Sequence, residues 1–199
     1  MEAVSERLSD PALSPIKRHR LTVDDVLEMA RAGFFNGKPR MELIEGDLIE
    51  MAPIGPPHAS VVSTLARRLN KTLPETVIVW IQSSVLLAEH TLPEPDIALV
   101  RAREHSYSTT HPGPDDILAI IEVADTSLAY DRGAKAQLFA AAGVPVYWVF
   151  DVNTRRVLAF HGPSASGYAE EVELGADAVL TAESIPGWSL PVRDVFPNP

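Results

Sequence analysis

Three residues far apart in the chain, Asp96, Glu122 and Lys135, have side chains suited to one kind of chemistry. Glu122 closes the apolar run Leu118-Ala119-Ile120-Ile121. A carboxylate buried there without a partner costs several kcal/mol, so it calls for a cation, a proton or a metal. The plainer alternatives are emergence at the open end of a strand or pairing with an arginine. Asp96 follows Pro95 at the start of a short strand pattern, where a missing ladder donor is tolerated. On its own it reads first as a turn residue capping the loop Leu92-Pro93-Glu94-Pro95. Two carboxylates at matching ends of neighbouring strands, however, converge on one pocket. Hard oxygen ligands of that kind suit Mg²⁺ or Mn²⁺, which keep several waters and bind substrate phosphate. The backbone carbonyl of Val123 is a natural further ligand.

Lys135 lies four residues beyond Asp131 in a helical pattern, a spacing that suits an ion pair on a solvated face. That pairing is the default reading; the functional one is a lysine that orients or deprotonates an attacking water and steadies charge at phosphorus, with Asp131 aiming it. Glu42, in the strand pattern "MELIEG", and His58, after two prolines at a helix start, are weaker candidates. His19, His90, His105, His111 and His161 show no metal-ligand spacing. There is no phosphate-binding glycine loop, nucleophile elbow or dinucleotide fingerprint, so no organic cofactor is expected.

The elements that must position these residues are legible in outline. Thr22 and Asp25 resemble a capping box, followed by the helical stripe Val23, Val26, Leu27 and Ala30. Residues 41–51 read as a strand pair or bent strand around Gly46. Val61, Val62, Leu65 and Leu69 predict a helix over 58–72 whose off-stripe Arg67, Arg68 and Lys71 offer a basic face. Strands are expected at 77–88, 95–100, 117–123, 144–152 and 155–161, with a helix at 131–142 closed by Gly143. The strand–helix–strand run of 117–152 implies a parallel pair joined by a right-handed crossover, and hence an α/β mixed sheet flanked by helices. Short strands and turns follow.

At 199 residues the chain fits one domain, expected over 21–196 behind a polar tail at 1–20. It has no cysteine, which excludes disulfides and thiolate metal sites and fits a cytoplasmic setting. No apolar run approaches the roughly 18 residues of a membrane span. The net charge of −10 argues against holding nucleic acid by a general basic surface. It leaves room for a metal in a carboxylate pocket that supplies positive charge locally.

The segments "MELIEGDLIEMAP…H", "PEPDIALV", "LAIIEVADTSLAYDRGAKAQLFAAAGVPVYWVFD" and "IPGWSLPV" together resemble the Uma-two type of restriction endonucleases, within the PD-(D/E)XK nuclease superfamily. The likeness spans roughly 21–196 and is most specific at 120–151. It implies a restriction-endonuclease-like fold and a Mg²⁺-dependent (or Mn²⁺-dependent) endonuclease acting on nucleic acid, with DNA expected and a homodimer plausible. By this resemblance Pro95-Asp96 and Glu122 correspond to the superfamily motif. Ala124 stands where its lysine would be, which makes Lys135 the replacement. Glu42, His58 and Asp131 match further motif positions, and Ala124-Asp125-Thr126-Ser127 varies the usual Ser-Pro-Ser-Thr. The alternatives are a catalytically silent nuclease-fold binding or regulatory module, and a hydrolase of a small phosphorylated substrate in a closed pocket.

Overall fold

The computed structural model describes residues 19–196. Most of the expected tail therefore lies outside the described residues, although Arg20 already bonds the Glu45 carbonyl at 2.6 Å. Thr22 caps helix α1 (Val23–Arg31) through the capping box with Asp25. The next segment is a hairpin of β1 (Met41–Ile44) and β2 (Asp47–Glu50). Its two turn residues, Glu45 and Gly46, have φ of 49° and 87°. Positive φ at both centres matches the twist of the flanking strands, and this resolves the choice at 41–51 in favour of a strand pair. Backbone bonds between Leu43 and Leu92 tie the hairpin to the rest of the protein, over a small apolar cluster of Val23, Leu43 and Leu92.

Helix α2 spans Pro56–Thr72, with its two prolines in the first turn, where their absent N–H groups cost nothing. The central sheet has six strands in sequential order: β3 (Val77–Ile81), β4 (Ile97–Arg101), β5 (Ile117–Ala124), β6 (Val146–Asp151), β7 (Arg156–Ser164) and β8 (Gly167–Leu174). Only β5 and β6 run parallel. All eight residues of β5 and all six of β6 are buried, as strands covered on both faces must be. One face carries α2 and the C-terminal segment, including the small hairpin of β9 (Val179–Thr181) and β10 (Ser189–Pro191). The other carries the crossover helix with Tyr107 and Tyr147.

Two expectations need correction. The strand foreseen over 77–88 stops at Ile81. Gln82 takes φ 42°, bending the chain so that its N–H donates to the Asp96 carbonyl at 3.0 Å. The apolar residues beyond it are buried in an irregular segment whose amides are satisfied one by one, as in Val85 to Pro93 and Leu86 to Pro112. The crossover helix is not a uniform α-helix over 131–142. It comprises a single turn, α3 (Leu128–Tyr130), a π-helical segment (Asp131–Lys135) and α4 (Ala136–Ala141).

Candidate active site

Strand topology brings Asp96 to Glu122. β4 and β5 are antiparallel with Ile97 opposite Ile121, so the start of one strand meets the end of the other. The two acidic residues are then laced together. The Asp96 N–H donates to Glu122 Oε2 at 3.2 Å, and the Val123 N–H donates to Asp96 Oδ2 at 2.9 Å. Glu122 projects from the face of β5 that carries the crossover helix, where the π-helical segment turns Asp131 and Lys135 inward. In this segment the Ala136 N–H reaches back five residues to the Asp131 carbonyl, the wide turn often found at functional sites.

Lys135 is 5% exposed, and its ammonium donates to Glu122 Oε1 at 2.8 Å and lies 3.4 Å from Glu42 Oε2. The local spacing had offered Asp131 as its ion-pair partner on a solvated face. Asp131 is instead buried and accepts a bond from Ser127 Oγ at 2.5 Å, while its carbonyl accepts one from Tyr147. Glu42, which sequence left open to solvent, is 3% exposed and also accepts the Glu94 N–H. His58, in the first turn of α2, sits 2.9 Å from Asp96 Oδ2, and its Nδ1 is buried without a hydrogen-bond partner. All seven candidates (Glu42, His58, Asp96, Glu122, Val123, Asp131 and Lys135) line one cavity of about 410 Å³.

Composition alone did not single out the surrounding polar groups. Gln82 bends the backbone beside Asp96 and donates its N–H to the Asp96 carbonyl. The one signal was the polar Gln82-Ser83-Ser84 interrupting a β-branched run. Arg40 pairs with Glu94 at the cavity wall, and Tyr130 brings its ring centroid to 5.8 Å from the Lys135 ammonium.

The electrostatics follow from one cation serving several buried acids. Burial works against the charge on Lys135, but Glu122 and Glu42 outweigh it and hold the ammonium protonated well above the ordinary lysine range. Burial pushes the Glu122 carboxyl up to about 8, with Asp96 and Asp131 adding to the shift and Lys135 opposing it. Asp96 is partly buried, which works against its charge, yet the hydrogen bond and charge of His58 and the Val123 amide bring it below the usual aspartate value. Asp131 is raised by burial despite its bond from Ser127. The pocket thus holds more acidic groups than Lys135 can balance, Glu122 keeps a proton in consequence, and a divalent cation could take that proton's place. Among the described residues no group of three or more His, Cys, Asp or Glu side chains forms a metal centre. Any ion here would rest on two carboxylates, backbone oxygen and water.

A mixed sheet with its acidic pair at the β4–β5 end and a lysine from the crossover helix defines a restriction-endonuclease-like domain. The chain belongs to the Uma2 family, described as "Putative restriction endonuclease", whose profile matches residues 23–193. Among solved structures it resembles that of "a putative nuclease belonging to DUF820 from Anabaena variabilis ATCC 29413", with a TM-score of 0.69 at 17% identity. The match covers 88% of this chain and 97% of that one. No curated protein matches the chain. Among the described residues no helix is long and apolar enough to cross a membrane.

Proposed function

We propose that this protein is a Mg²⁺-dependent endonuclease that hydrolyses phosphodiester bonds in DNA, with Asp96 and Glu122 holding the metal and residues 21–196 forming one catalytic domain. The observation that carries the proposal is the pair of buried carboxyls, Glu42 and Glu122, on the single Lys135 ammonium, with the partly buried Asp96 laced to Glu122 beside them, which puts more acidic groups than that ammonium can balance in a solvent-reachable cavity. Its donor set fits a hard, water-keeping cation such as Mg²⁺ or Mn²⁺ better than zinc, which favours nitrogen and sulfur ligands. In a β-strand the N–H and C=O of one residue point to the same side. The Val123 carbonyl therefore faces Asp96, as its amide does, and supplies a third oxygen. When bound, the metal would act as Lewis acid toward the phosphoryl oxygen and acidify water.

The remaining chemistry belongs to the side chains. Of the two roles open to Lys135, its protonated state favours the electrostatic one: orienting the attacking water as a donor and stabilising charge that develops at phosphorus. Glu42 keeps the ammonium charged and aimed. His58 and the Val123 amide fix the rotamer of Asp96. Cutting both strands of a duplex would be served by a homodimer, and the absence of cysteine suits the cytoplasm.

The direct test is plasmid nicking by purified protein with Mg²⁺ or Mn²⁺. The wild type nicks, while Glu122→Gln and Lys135→Met lose at least about 100-fold, the scale of removing one electrostatic stabiliser. Nicking that survives in Glu122→Gln overturns the assignment. The net charge of −10 favours a second reading, a silent binding module with the same fold. An inert wild type that nevertheless binds DNA supports that reading.

A further inference from the structure

Helix α2 is unlike the rest of the chain in charge. The protein has 17 Lys and Arg against 27 Asp and Glu, yet the 17 residues of this helix include Arg67, Arg68 and Lys71 and no acidic side chain. Its buried stripe, Val61, Val62, Leu65 and Leu69, packs on the sheet. On the opposite side Ser60, Ser63, Arg67, Asn70 and Lys71 are exposed in register, a row of hydroxyl, amide and cation donors. Elsewhere Arg40, Arg103, Arg132 and Arg156 each pair with a carboxylate. Among the described residues Arg67, Arg68 and Lys71 have no such pair, and the Arg68 Nε is buried with no hydrogen-bond partner. Complementing the helix dipole explains a cation in the last turn, such as Lys71, but neither Arg67 nor the lack of acids.

The row also has a direction. The first turn of α2 brings His58 to the cavity, so the helix begins at the cavity edge and the row runs away from it along the outer side. From Ser60 to Lys71 it extends about 17 Å, room for roughly five phosphates of one strand at about 3.4 Å of axis each.

We infer that the exposed row from Ser60 to Lys71 on α2 is the track for the phosphodiester backbone of a nucleic-acid strand as it leaves the cavity. This inference rests on the nuclease reading and adds to it the surface that holds the substrate. The serine hydroxyls nearer the site position the backbone, and Arg67 and Lys71 release counterions further out. In an acidic protein, a helix with three cations and no acid also draws a polyanion to this surface in preference to acidic ones.

The test is binding of a short fluorescent DNA duplex, with Ca²⁺ in place of Mg²⁺ to suppress cleavage, over a salt series of about 50 to 200 mM. The double variant Arg67→Gln/Lys71→Gln should lower the slope of log affinity against log salt by about 2 and weaken low-salt binding about tenfold or more. Arg67→Lys should keep the wild-type slope. Both substitutions are at exposed positions, so the melting temperature and the Mn²⁺ affinity should not move. A double variant that binds with wild-type slope and affinity overturns the track and leaves the nuclease reading intact. A wild type that binds Mn²⁺ but neither binds nor cuts any nucleic acid overturns both.

Discussion

With Glu122 at 2.8 Å and Glu42 at 3.4 Å, the Lys135 ammonium must satisfy two buried carboxyl groups at once, and Glu122 takes up the shortfall by holding its proton. A buried acid whose pKa is raised stabilises the fold at low pH, and that stability is lost as the unfolded chain ionises first. For Glu122 the window runs from 4.5 to about 8, and Asp131 acts in the same sense. Asp96, which is depressed, acts only in acid below its ordinary value, and Lys135 only in strong alkali. Metal-free protein should therefore lose on the order of a few kcal/mol between pH 5 and pH 8. Urea unfolding should show this slope in the wild type and a much flatter one in Glu122→Gln. An equally steep slope in the variant would place the titration elsewhere. Lys135→Ala leaves two carboxyls buried without their cation, and at pH 8 it should cost about 3–5 kcal/mol. At pH 5, where Glu122 is protonated, the loss should be visibly smaller.

At the scale of elements, the π-helical segment and the first hairpin do most to shape the site, and a glycine in each makes its geometry testable. Gly133 lies in the π-helical segment, and a Cβ there would meet nothing within 4 Å. Gly133→Ala should raise stability by about 0.5–1 kcal/mol through the lost freedom of the unfolded chain. Gly46 has φ +87°, and its Cβ would lie 2.5 Å from the Arg20 Cβ and 3.0 Å from its Cα. Gly46→Ala should cost more than about 1 kcal/mol and loosen the hairpin that carries Glu42. Thermal unfolding of the two variants, with shifts of opposite sign, checks both.

These elements also mark how far local patterns reach. β5, β6 and α2 were legible because continuous burial and a helical stripe are written in adjacent residues. The strand at 77–88 was over-extended because Val85 is buried in an irregular segment and looks apolar in the same way a strand residue does. Asp96 and Glu122 could be paired in advance because each breaks an apolar or strand pattern at its end. The depth of Glu42 could not, since it depends on the hairpin folding over the cavity. Nor could the partners of Lys135, because the π-helical turn that aims it follows from tertiary packing rather than spacing.

At the scale of the whole molecule, both apolar clusters share one sheet. Ile121 and Val123 of β5 face one cluster, and Ile120 and Ala124 face the other. Neither side can open without exposing the strand that carries Glu122, so unfolding should be a single transition. Trp148 and Trp188 report on one cluster and Trp80 packs against the other, so fluorescence and far-UV circular dichroism should give the same midpoint. Two separated midpoints would mean that the faces unfold independently. At the sheet edge, the exposed Glu170, Glu171 and Glu173 of β8 guard against strand addition. They also leave the acid-free helix α2 as the contrasting surface for a polyanion.

The central claim is that Asp96 and Glu122 share one divalent cation. Crystals soaked in Mn²⁺ and measured for anomalous scattering test it most directly. The account predicts one strong peak between the two carboxyl groups, at roughly 2.1–2.5 Å from an oxygen of each and from the Val123 carbonyl, and no peak in Glu122→Gln. A saturating soak that leaves this position empty, or that places manganese elsewhere in the cavity without touching both residues, would contradict it.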